Sequence, residues 1–346
     1  MKALQVTQNG APSEVLSLVD IDRPIAPAGH VSIKVSAGSL NFNDIDRCYG
    51  RRISIPTPPP FTLGMDVCGV VAGAGEGAEH WLGKRVIAIT QGATGGLAEY
   101  AIAAADSVFE APVSLNDAQA TAFIMPFHTA YLALVRRAKL EAGETLLVHS
   151  GASSVGAAAI QIGKAIGVKV IATVSSQQKV DYCKSLGADL VINHQKENFS
   201  DTVLDFSDNI GANVILDLAG GDFVEPSWLC VALEGRYIAA GFADDEQNGF
   251  SGKPLRLSCA GNFSIIGVLM AWNSNLPAEV RRMGMNVFGR DVAEQVHNSL
   301  LALVDAEKIK PNLERTIDFD ESKIAQALLD QENRKTIGRT VVVLNG

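Results

Sequence analysis

The strongest constraint on the fold is a series of short, almost wholly apolar runs in the middle of the chain. These runs are Thr145–His149, Lys169–Val174, Leu190–Asn193, Val214–Leu218, Tyr237–Ala240 and Ser264–Val268. Strands without polar alternation are buried on both faces, as in a parallel sheet covered by helices. The helical patterns between them are Ala157–Ile166, Gln177–Leu186, Phe199–Phe206 and Val224–Leu233, the last with Gly235 as a C-cap. The alternation predicts a doubly wound α/β domain with a parallel sheet.

A different pattern precedes and follows this region. Before about residue 120, short alternating runs broken by glycine and proline predict a β-rich, barrel-like unit. These runs include Val31–Val35, Val67–Val71, Arg85–Ile89 and Ala98–Ala101. The proline-rich stretch Ile55–Phe61 predicts a stiff loop. The elements expected after residue 268 are a helix over Pro277–Val304, a strand over Leu313–Phe319, a helix over Ser322–Asp330 and a strand over Ile337–Leu344.

Composition narrows the class of protein. A length of 346 residues predicts two domains, and a 47% hydrophobic share with 19% charged residues indicates a globular chain. The net charge of −9 argues against nucleic acid or an anionic membrane as a partner. Met1–Gly10 lacks the apolar core of a signal peptide, and no apolar run approaches the roughly 20 residues that span a bilayer. Five scattered cysteines without a CxxC pair favour reduced thiols in the cytoplasm over a zinc module or a disulfide frame.

A loop of small residues joins the strand Leu146–His149 to the next helix. Its residues are Ser150, Gly151, Ala152, Ser153, Ser154, Val155 and Gly156. Gly151 ends the strand in a tight turn, small side chains let the backbone approach a pyrophosphate, and Gly156 lets the helix pack on the strand. The helix N-terminus offers N–H groups to the phosphates. The GxGxxG spacing is absent, but the strand–loop–helix context predicts a dinucleotide site, and a flavodoxin-like fold without a dinucleotide is the alternative.

The end of the second strand indicates which dinucleotide is bound. An NAD site usually places Asp or Glu about 20 residues past the loop, where the side chain binds the ribose 2′-hydroxyl. No acidic residue occurs between Gly167 and Val180. Ser175, Ser176 and Lys179 stand there instead, and these groups can donate hydrogen bonds to a 2′-phosphate. The pattern favours NADPH, with an ordinary solvated helix residue as the alternative interpretation of Lys179.

The run Val148–Asn193 resembles the zinc-free quinone oxidoreductase branch of the medium-chain dehydrogenase/reductase superfamily. The likeness extends over essentially the whole chain. Further matching stretches are Asn41–Asp44, Pro60–Val71, Gly96–Tyr100, Thr129–Tyr131, Val214–Gly221, Gly235–Gly241 and Ile337–Leu344. The resemblance implies a GroES-like β-barrel catalytic domain, formed by residues 1–120 and 269–346, and a Rossmann nucleotide-binding domain over residues 121–268.

The resemblance also bears on metal binding. Zinc-dependent relatives carry a cysteine near the start of the Asn41–Asp44 motif and a His-Glu pair in the stretch that matches Gly64–Gly69. Here those positions read Leu40-Asn41 and Met65-Asp66, and thioether and carboxamide groups are poor zinc ligands. The four-cysteine structural lobe of those relatives is missing, and His128 has no ligand partner nearby in the sequence. We therefore expect no metal.

Catalytic residues are implied by the same resemblance. Asn41 and Asp44 would line the catalytic cleft, with the Asn41 carboxamide bonded to a quinone oxygen. Asp44 has an alternative role, in which its carboxylate holds the local backbone. Relatives often carry a tyrosine two residues after this aspartate, where this chain has Asp46, so Tyr49 is the nearest substitute.

The remaining implied residues would surround the cofactor. Thr129 would bond the carboxamide side of the nicotinamide, and Gly267 and Val268 would pass the nicotinamide as backbone. Ala240, Gly241 and Phe242 follow a strand at its carboxyl end, where ligands bind in such folds. Arg334 would join Ser175, Ser176 and Lys179 around the 2′-phosphate, and His194 would add a pH-dependent contact.

The expected reaction follows from the missing metal. Alcohol oxidation needs a Lewis acid or an equivalent acid and base, whereas a quinone or conjugated carbonyl already contains its electron sink. We therefore expect a zinc-independent, NADPH-dependent reductase of a small quinone or enone-type acceptor. An enoyl-thioester reductase and an NADPH-binding protein with little turnover are the alternatives. The apolar strand Ser264–Val268 makes a homodimer through a shared sheet edge plausible.

Overall fold

The computed structural model describes residues 1–51, 57–242, 253 and 255–344, and the chain forms two compact units. The first unit comprises Met1–Met125, Ala271–Leu301 and Pro311–Gly346, and the second comprises Pro126–Met270 and Ala302–Lys310. Residues 269–270 and 302–310, which were expected in the first domain, thus group with the second unit, and residues 121–125, which were expected in the second domain, group with the first unit. Residues 55 and 56 of the expected proline-rich loop lie outside the described residues, and Phe61 begins a strand.

Strands and helices alternate along most of the described chain. The strands are β1 (Lys2–Val6), β2 (Leu16–Asp20), β3 (His30–Ser39), β4 (Phe61–Thr62), β5 (Asp66–Ala74), β6 (Arg85–Ile89), β7 (Tyr100–Ala104), β8 (Val108–Glu110), β9 (Thr145–Val148), β10 (Lys169–Val174), β11 (Leu190–Asn193), β12 (Ala212–Asp217), β13 (Val231–Ala239), β14 (Ser264–Gly267), β15 (Leu313–Asp318) and β16 (Arg339–Val343). The α-helices are α1 (Pro12–Val15), α2 (Phe42–Tyr49), α3 (Asp117–Tyr131), α4 (Ser154–Ile166), α5 (Gln177–Ser185), α6 (Phe199–Phe206), α7 (Val224–Leu229), α8 (Arg256–Gly261), α9 (Ala278–Arg282), α10 (Arg290–Asp305) and α11 (Glu321–Glu332).

The second unit is built on a parallel sheet in the order β11-β10-β9-β12-β13-β14. Counted from β9 this order is 3-2-1-4-5-6, the topology of the doubly wound dinucleotide-binding fold. Its strands bury Leu147, Ile171 and Ile215 in a core that also holds Tyr237. The predicted Rossmann fold is therefore confirmed. The unbroken apolar runs of β9, β10 and β12 form strands buried on both faces, whereas the edge strand β14 is only half-buried or exposed.

Two predicted helices are wrong in extent. The helix expected over Val224–Leu233 ends at Leu229, and β13 begins at Val231. Gly235 lies inside this strand, next to a break in the pairing register, and is not a helix cap. A Cβ atom at Gly235 would lie 2.6 Å from the Ala232 carbonyl oxygen, so the residue permits a bulge. The helix expected over Pro277–Val304 is interrupted between α9 and α10, where Gly284 has a φ of 87°.

The first unit contains mainly antiparallel sheets. One has the order β2-β1-β4, and the other has the order β15-β16-β3-β5-β6-β8, with β7 also paired to β3. Alternate strand residues such as Val31, Ile33 and Val67 point into a core against which Ile45 of α2 and Leu328 of α11 pack. The closing strand β16 runs beside β3, so residues from both ends of the chain meet in one sheet.

One helical segment, Asp117–Arg137, is long and apolar enough to cross a membrane by length and composition alone. Of the most apolar 18-residue window in this segment, 67% is buried inside the protein. It consists of α3 and a following π-helical stretch over Leu132–Arg137. This degree of burial is the property expected of a core helix.

Candidate functional site

The loop after β9 turns sharply at the carboxyl edge of the parallel sheet. Ser150 adopts a left-handed conformation with a φ of 53°, which few residues other than glycine adopt. The N–H of Gly151 then donates to the Thr173 carbonyl oxygen at 3.0 Å. A Cβ atom at Gly151 would lie 2.8 Å from the Ala172 Cβ, so only glycine fits without displacing β10.

Gly156 allows α4 to pack directly on this loop. A Cβ atom there would lie 2.4 Å from the Ser150 carbonyl oxygen, closer than real Cβ atoms approach. Ser153 is the N-cap of α4, and its hydroxyl accepts the Gly156 N–H at 3.1 Å. Ser153 is exposed, while Ser154 and Val155 are half-buried at the rim of the loop. Ser153 thus caps the helix, a role that serine performs well.

The neighbouring strands β10 and β11 bring further predicted residues to the same edge. Ser176 is the N-cap of α5, and its hydroxyl accepts the Lys179 N–H at 3.4 Å. Ser175 and Lys179 are half-buried beside it. His194 follows β11, and its ring stands edge-on to Phe223 with the centroids 4.9 Å apart. Because the three strands are parallel neighbours, the structure gathers these residues with the loop Ser150–Gly156 at one edge.

Asp217 organises the other half of this edge. Its Oδ1 accepts the N–H groups of Ala219 and Gly220 at 2.8 and 2.9 Å, and its Oδ2 accepts the Tyr237 hydroxyl. Burial raises the pKa of Tyr237, so this hydroxyl stays protonated as the donor. The Asp217 carbonyl oxygen accepts the N–H of Ala240 at 3.0 Å and the N–H of the next residue at 3.1 Å. Asp217 and Tyr237 therefore hold the backbone at this edge, and the sequence analysis missed both residues.

The other predicted cofactor residues of the second unit lie in varied surroundings. Gly241 is held close to β12, since a Cβ atom there would lie 2.4 Å from the Leu218 carbonyl oxygen. Phe242 is 46% exposed. Gly267 is exposed and accepts a hydrogen bond from the Arg137 Nε at 3.1 Å. Of the remaining three, Ala152 is buried, and Thr129 in α3 and Val268 after β14 are half-buried.

This edge fits an anionic dinucleotide. Two helices of more than eight residues, α4 and α5, begin here, and their N-termini carry N–H groups and partial positive charge. Gly151 and Gly156 leave no room for side chains, so the loop can turn tightly against β10 and α4 can begin directly beside it. The site therefore has the backbone cradle that a pyrophosphate requires.

The catalytic residues predicted in the first unit belong to a buried polar cluster. Asn41 is the N-cap of α2, and its N–H donates to the Asp44 Oδ2 at 2.8 Å. The N–H of Gly64 donates to the other Asp44 oxygen at 3.3 Å. Asp44 is completely buried, and burial raises the pKa of this carboxyl to about 6. Its carboxylate thus holds local backbone, which is the alternative role that the sequence left open.

An ion pair between Asp66 and Arg339 forms the centre of this cluster. The Arg339 Nη2 donates at 2.7 Å to the Asp66 Oδ2 and at 2.8 Å to the Asn41 Oδ1. Asn41 in turn donates from Nδ2 to the Asp66 Oδ1 at 2.8 Å, and the Ser39 hydroxyl donates to the Asp66 Oδ2 at 2.7 Å. The amide of Asn41 is therefore bonded at both ends, and Asn41 is only 1% exposed. Its predicted bond to a quinone oxygen stays a prediction.

Arg339 was missed by sequence reasoning because it lies 298 residues from Asn41. The available signal was a single arginine at the start of the valine-rich closing strand, β16. A charged residue in such a strand is buried only when a partner neutralises it. That partner, Asp66, becomes a neighbour only when β16 and β5 flank β3.

Tyr49 does not join Asn41 and Asp44. It lies eight residues beyond Asn41 on α2, which corresponds to about 12 Å along the helix axis. Its hydroxyl donates to the Glu332 Oε2 at 3.2 Å, and the Arg51 guanidinium lies 4.4 Å from its ring centroid. Arg334 follows α11 in the first unit, is exposed and has a φ of 57°. Tyr49 thus ties α2 to α11 in this structure.

The described residues do not fit a metal ion. Across residues 1–51, 57–242, 253 and 255–344, no group of three or more histidine, cysteine and acidic side chains is placed to hold one. Both Asp66 oxygens are bonded to protein donors. Cys48 and Cys68 are both buried, and burial raises the pKa of each thiol to about 12.

Comparisons with known proteins agree with this architecture. The family described as "Alcohol dehydrogenase GroES-like domain" matches residues 27–113, and the family described as "Zinc-binding dehydrogenase" matches residues 154–285. Human quinone oxidoreductase is 33% identical over 244 residues, which are 70% of this chain and 73% of the human protein. The GroES-like identity predicted for the first domain is thereby confirmed.

Solved structures show the same likeness over the full length. A probable oxidoreductase from Mycobacterium abscessus is 32% identical, with a TM-score of 0.81 over 99% of this chain and 98% of its own. A mycobacterial protein solved in complex with NADPH is 26% identical, with a TM-score of 0.83 over 99% of both chains. This chain therefore belongs to the medium-chain dehydrogenase/reductase superfamily, as a quinone-oxidoreductase-like member.

Proposed function

We propose that the protein is a zinc-independent, NADPH-dependent reductase of small quinones or conjugated carbonyls. The observation that carries the choice of NADPH is the end of β10, where Ser175, Ser176 and Lys179 stand in place of an acidic residue. Two hydroxyls and an ammonium group suit a 2′-phosphate, whereas a carboxylate there would repel it. The mycobacterial relative solved with NADPH supports the same choice.

Each segment of the sheet edge has a proposed role in holding the cofactor. The N–H groups of Ser154 and Val155, at the start of α4, bind the pyrophosphate, and Ser175, Ser176, Lys179 and His194 bind the adenosine 2′-phosphate. Arg334 is proposed as a further phosphate ligand. The residues proposed around the nicotinamide are Thr129, Ala240, Gly241, Phe242, Gly267 and Val268. When bound, NADPH supplies a hydride, and the protein needs to orient its nicotinamide ring and exclude water.

The choice of acceptor follows from the buried cluster around Asp66. Its amide and carboxylate groups bond one another and Arg339, so they offer no ligand set for a Lewis acid. An acceptor that is already electrophilic needs no such activation, because its negative charge is delocalised within the molecule. Quinones and enones meet this requirement, and human quinone oxidoreductase is a relative over 70% of the chain.

A cofactor-oxidation assay tests the reaction. Loss of absorbance at about 340 nm is followed with NADPH or NADH and with 1,4-benzoquinone, an alkenal or crotonyl-CoA as acceptor. We expect turnover with NADPH and the quinone or the alkenal, without added metal. Turnover with crotonyl-CoA alone would identify an enoyl-thioester reductase. Tight NADPH binding without oxidation by any acceptor would identify a binding protein with little turnover.

A matched pair of lysine variants tests the phosphate assignment. Lys179→Ala removes a charged donor from the proposed 2′-phosphate site, whereas Lys184→Ala removes an exposed lysine from the same helix. We expect Lys179→Ala to raise the Kd for NADPH about tenfold or more, since a hydrogen bond to a charged group contributes about 1.5–3 kcal/mol. The Kd for NADH should change little in either variant. Equal weakening of both cofactors by Lys179→Ala would contradict the assignment.

We also propose a cytoplasmic homodimer. The strand β14 ends the described parallel sheet and pairs only with β13, which leaves an edge that a second copy can extend. Light scattering coupled to size-exclusion chromatography measures the mass. A monomeric mass at assay concentration would contradict the dimer.

A further inference from the structure

His149 occupies the position between β9 and the phosphate loop and is completely buried. Its Nδ1 lies 2.9 Å from the Thr173 Oγ1, and its Nε2 lies 2.8 Å from the Ser227 Oγ. Thr173 belongs to β10 and Ser227 to α7. A single imidazole therefore links three segments that end or begin at the carboxyl edge of the sheet.

The hydrogen bonds of Ser227 determine the direction of this link. The Ser227 hydroxyl has one hydrogen, and it donates that hydrogen to the Phe223 carbonyl oxygen at 2.6 Å. The contact with His149 must therefore be a bond that Ser227 accepts, so Nε2 carries the imidazole proton. A neutral imidazole has only one N–H, which makes Nδ1 the acceptor of the Thr173 hydroxyl. The chain thus runs in one direction, from Thr173 through His149 and Ser227 to Phe223.

The surroundings of His149 keep the imidazole neutral. Burial lowers its pKa to about 4, with a smaller opposing effect of Asp217 and a smaller reinforcing effect of His194. Its ring stands edge-on to Phe199 and Phe223, with centroid distances of 4.9 and 5.0 Å. One tautomer therefore prevails at neutral pH.

Both ends of the chain reach residues of the nucleotide edge. The Thr173 carbonyl oxygen accepts the Gly151 N–H at 3.0 Å, and the Phe223 ring contacts the ring of His194. We propose that His149 is a positioning residue, whose directed hydrogen-bond chain aligns the phosphate loop with the end of β10 and the start of α7 for nucleotide binding. This role rests on the NADPH-binding function proposed above.

The first experiment examines the tautomer without any cofactor. Protein labelled with ¹⁵N-histidine is studied by long-range ¹H–¹⁵N correlation spectroscopy, and the His149 signals are assigned by their loss in His149→Gln. We expect His149 to be protonated at Nε2 alone at neutral pH. Protonation at Nδ1, or at both nitrogens, would overturn the directed chain whether or not the protein binds NADPH.

The second experiment measures NADPH binding in variants of the two hydroxyl partners. Thr173→Val removes the donor to His149, Thr173→Ser retains it, and Ser227→Ala removes the acceptor. Thr145→Val is the matched control, because Thr145 lies at the opposite end of β9 from the loop. We expect Thr173→Val and Ser227→Ala to raise the Kd for NADPH about tenfold, with Thr173→Ser and the control near wild type.

Kinetics separate positioning from a general loss of structure. At saturating NADPH we expect the kcat of Thr173→Val to stay within about threefold of wild type, because the reacting groups are unchanged. Unchanged NADPH affinity in both hydroxyl-deleting variants would overturn the positioning role while leaving the proposed function intact. Wild-type protein that binds no NADPH would overturn both, and the tautomer experiment would still decide the direction of the chain.

Discussion

The polar groups of the candidate sites in the two units differ in their burial. At the parallel-sheet edge of the second unit, two helices begin, and beside their N-termini the Ser153 side chain is exposed and the Lys179 side chain is half-buried. In the first unit, Asn41, Asp66 and Arg339 are no more than 3% exposed and bond one another.

This difference distinguishes polar groups that can bind a ligand from polar groups that stabilise the fold. Accessible donors at helix N-termini can exchange water for a ligand's phosphate at little cost. A buried ion pair is already satisfied by its own partners, and breaking it leaves a charge without water or counter-charge. The second unit therefore presents a surface for a ligand, whereas the polar cluster of the first unit holds β3, β5 and β16 in register.

The largest expected effect is on the buried ion pair. Arg339→Met leaves the Asp66 carboxylate buried without its counter-charge, which should lower the free energy of unfolding by about 3–5 kcal/mol. Arg315→Met is the control, because Arg315 pairs with Asp330 at the surface, where such pairs contribute about 0–1 kcal/mol. Denaturant unfolding of both variants measures the difference. Equal losses of unfolding free energy in the two variants would show that the buried ion pair contributes no more to stability than the surface pair.

A smaller effect is expected at the open edge of the second unit. Gly156→Ala places a Cβ atom 2.4 Å from the Ser150 carbonyl oxygen, and overpacking of this kind costs about 1–3 kcal/mol. Displacement of the loop should raise the Kd for NADPH about tenfold, as measured by cofactor fluorescence. The control is Gly73→Ala, where the new atom would lie 3.6 Å from the Ser32 Cβ. NADPH affinity that survives Gly156→Ala would remove the phosphate role from this loop.

Stability should depend on pH through Asp44. Its native pKa of about 6 lies above the ordinary value of 3.8, so the native state holds the proton more tightly than the unfolded state. The resulting stability is complete below about pH 4 and is lost as the pH rises through about 6, at no more than about 1.4 kcal/mol per pH unit. The Asp44→Asn side chain does not titrate. The free energy of unfolding of wild type, measured relative to that of this variant, should therefore fall as the pH rises from about 4 through about 6. A difference that stays constant with pH would contradict the burial-raised pKa.

The smallest effect is expected for Tyr49. Its hydroxyl bonds Glu332 at the far end of α2 from Asn41, so Tyr49→Phe should cost at most about 1 kcal/mol of stability. The kcat/KM for a quinone should stay within about twofold of wild type, as judged by the NADPH-oxidation assay. A loss of about a hundredfold or more would assign Tyr49 a proton-transfer role and place catalysis at both ends of α2.

Local patterns in the sequence predicted the second unit well. The bounds of β10, β11 and α6 agree with the predicted Lys169–Val174, Leu190–Asn193 and Phe199–Phe206. Unbroken apolar runs and the small-residue loop are contiguous in the sequence, so they can be recognised without knowing which distant residues they contact. The predicted end of α7 was wrong because the residues Val231–Leu233 suit a helix and a strand equally. Pairing with β12 stabilises the strand.

The sequence by itself determined the doubly wound sheet, the small-residue loop after its first strand and the absence of an acid after the second strand, because each depends on residues adjacent in the chain. Only the tertiary structure decided the partners of the buried polar groups. Arg339 and Asp66 are 273 residues apart, and His149 and Ser227 are 78 residues apart. A buried polar group must find its partner in space, and the sheet order that supplies this partner is a property of the whole fold.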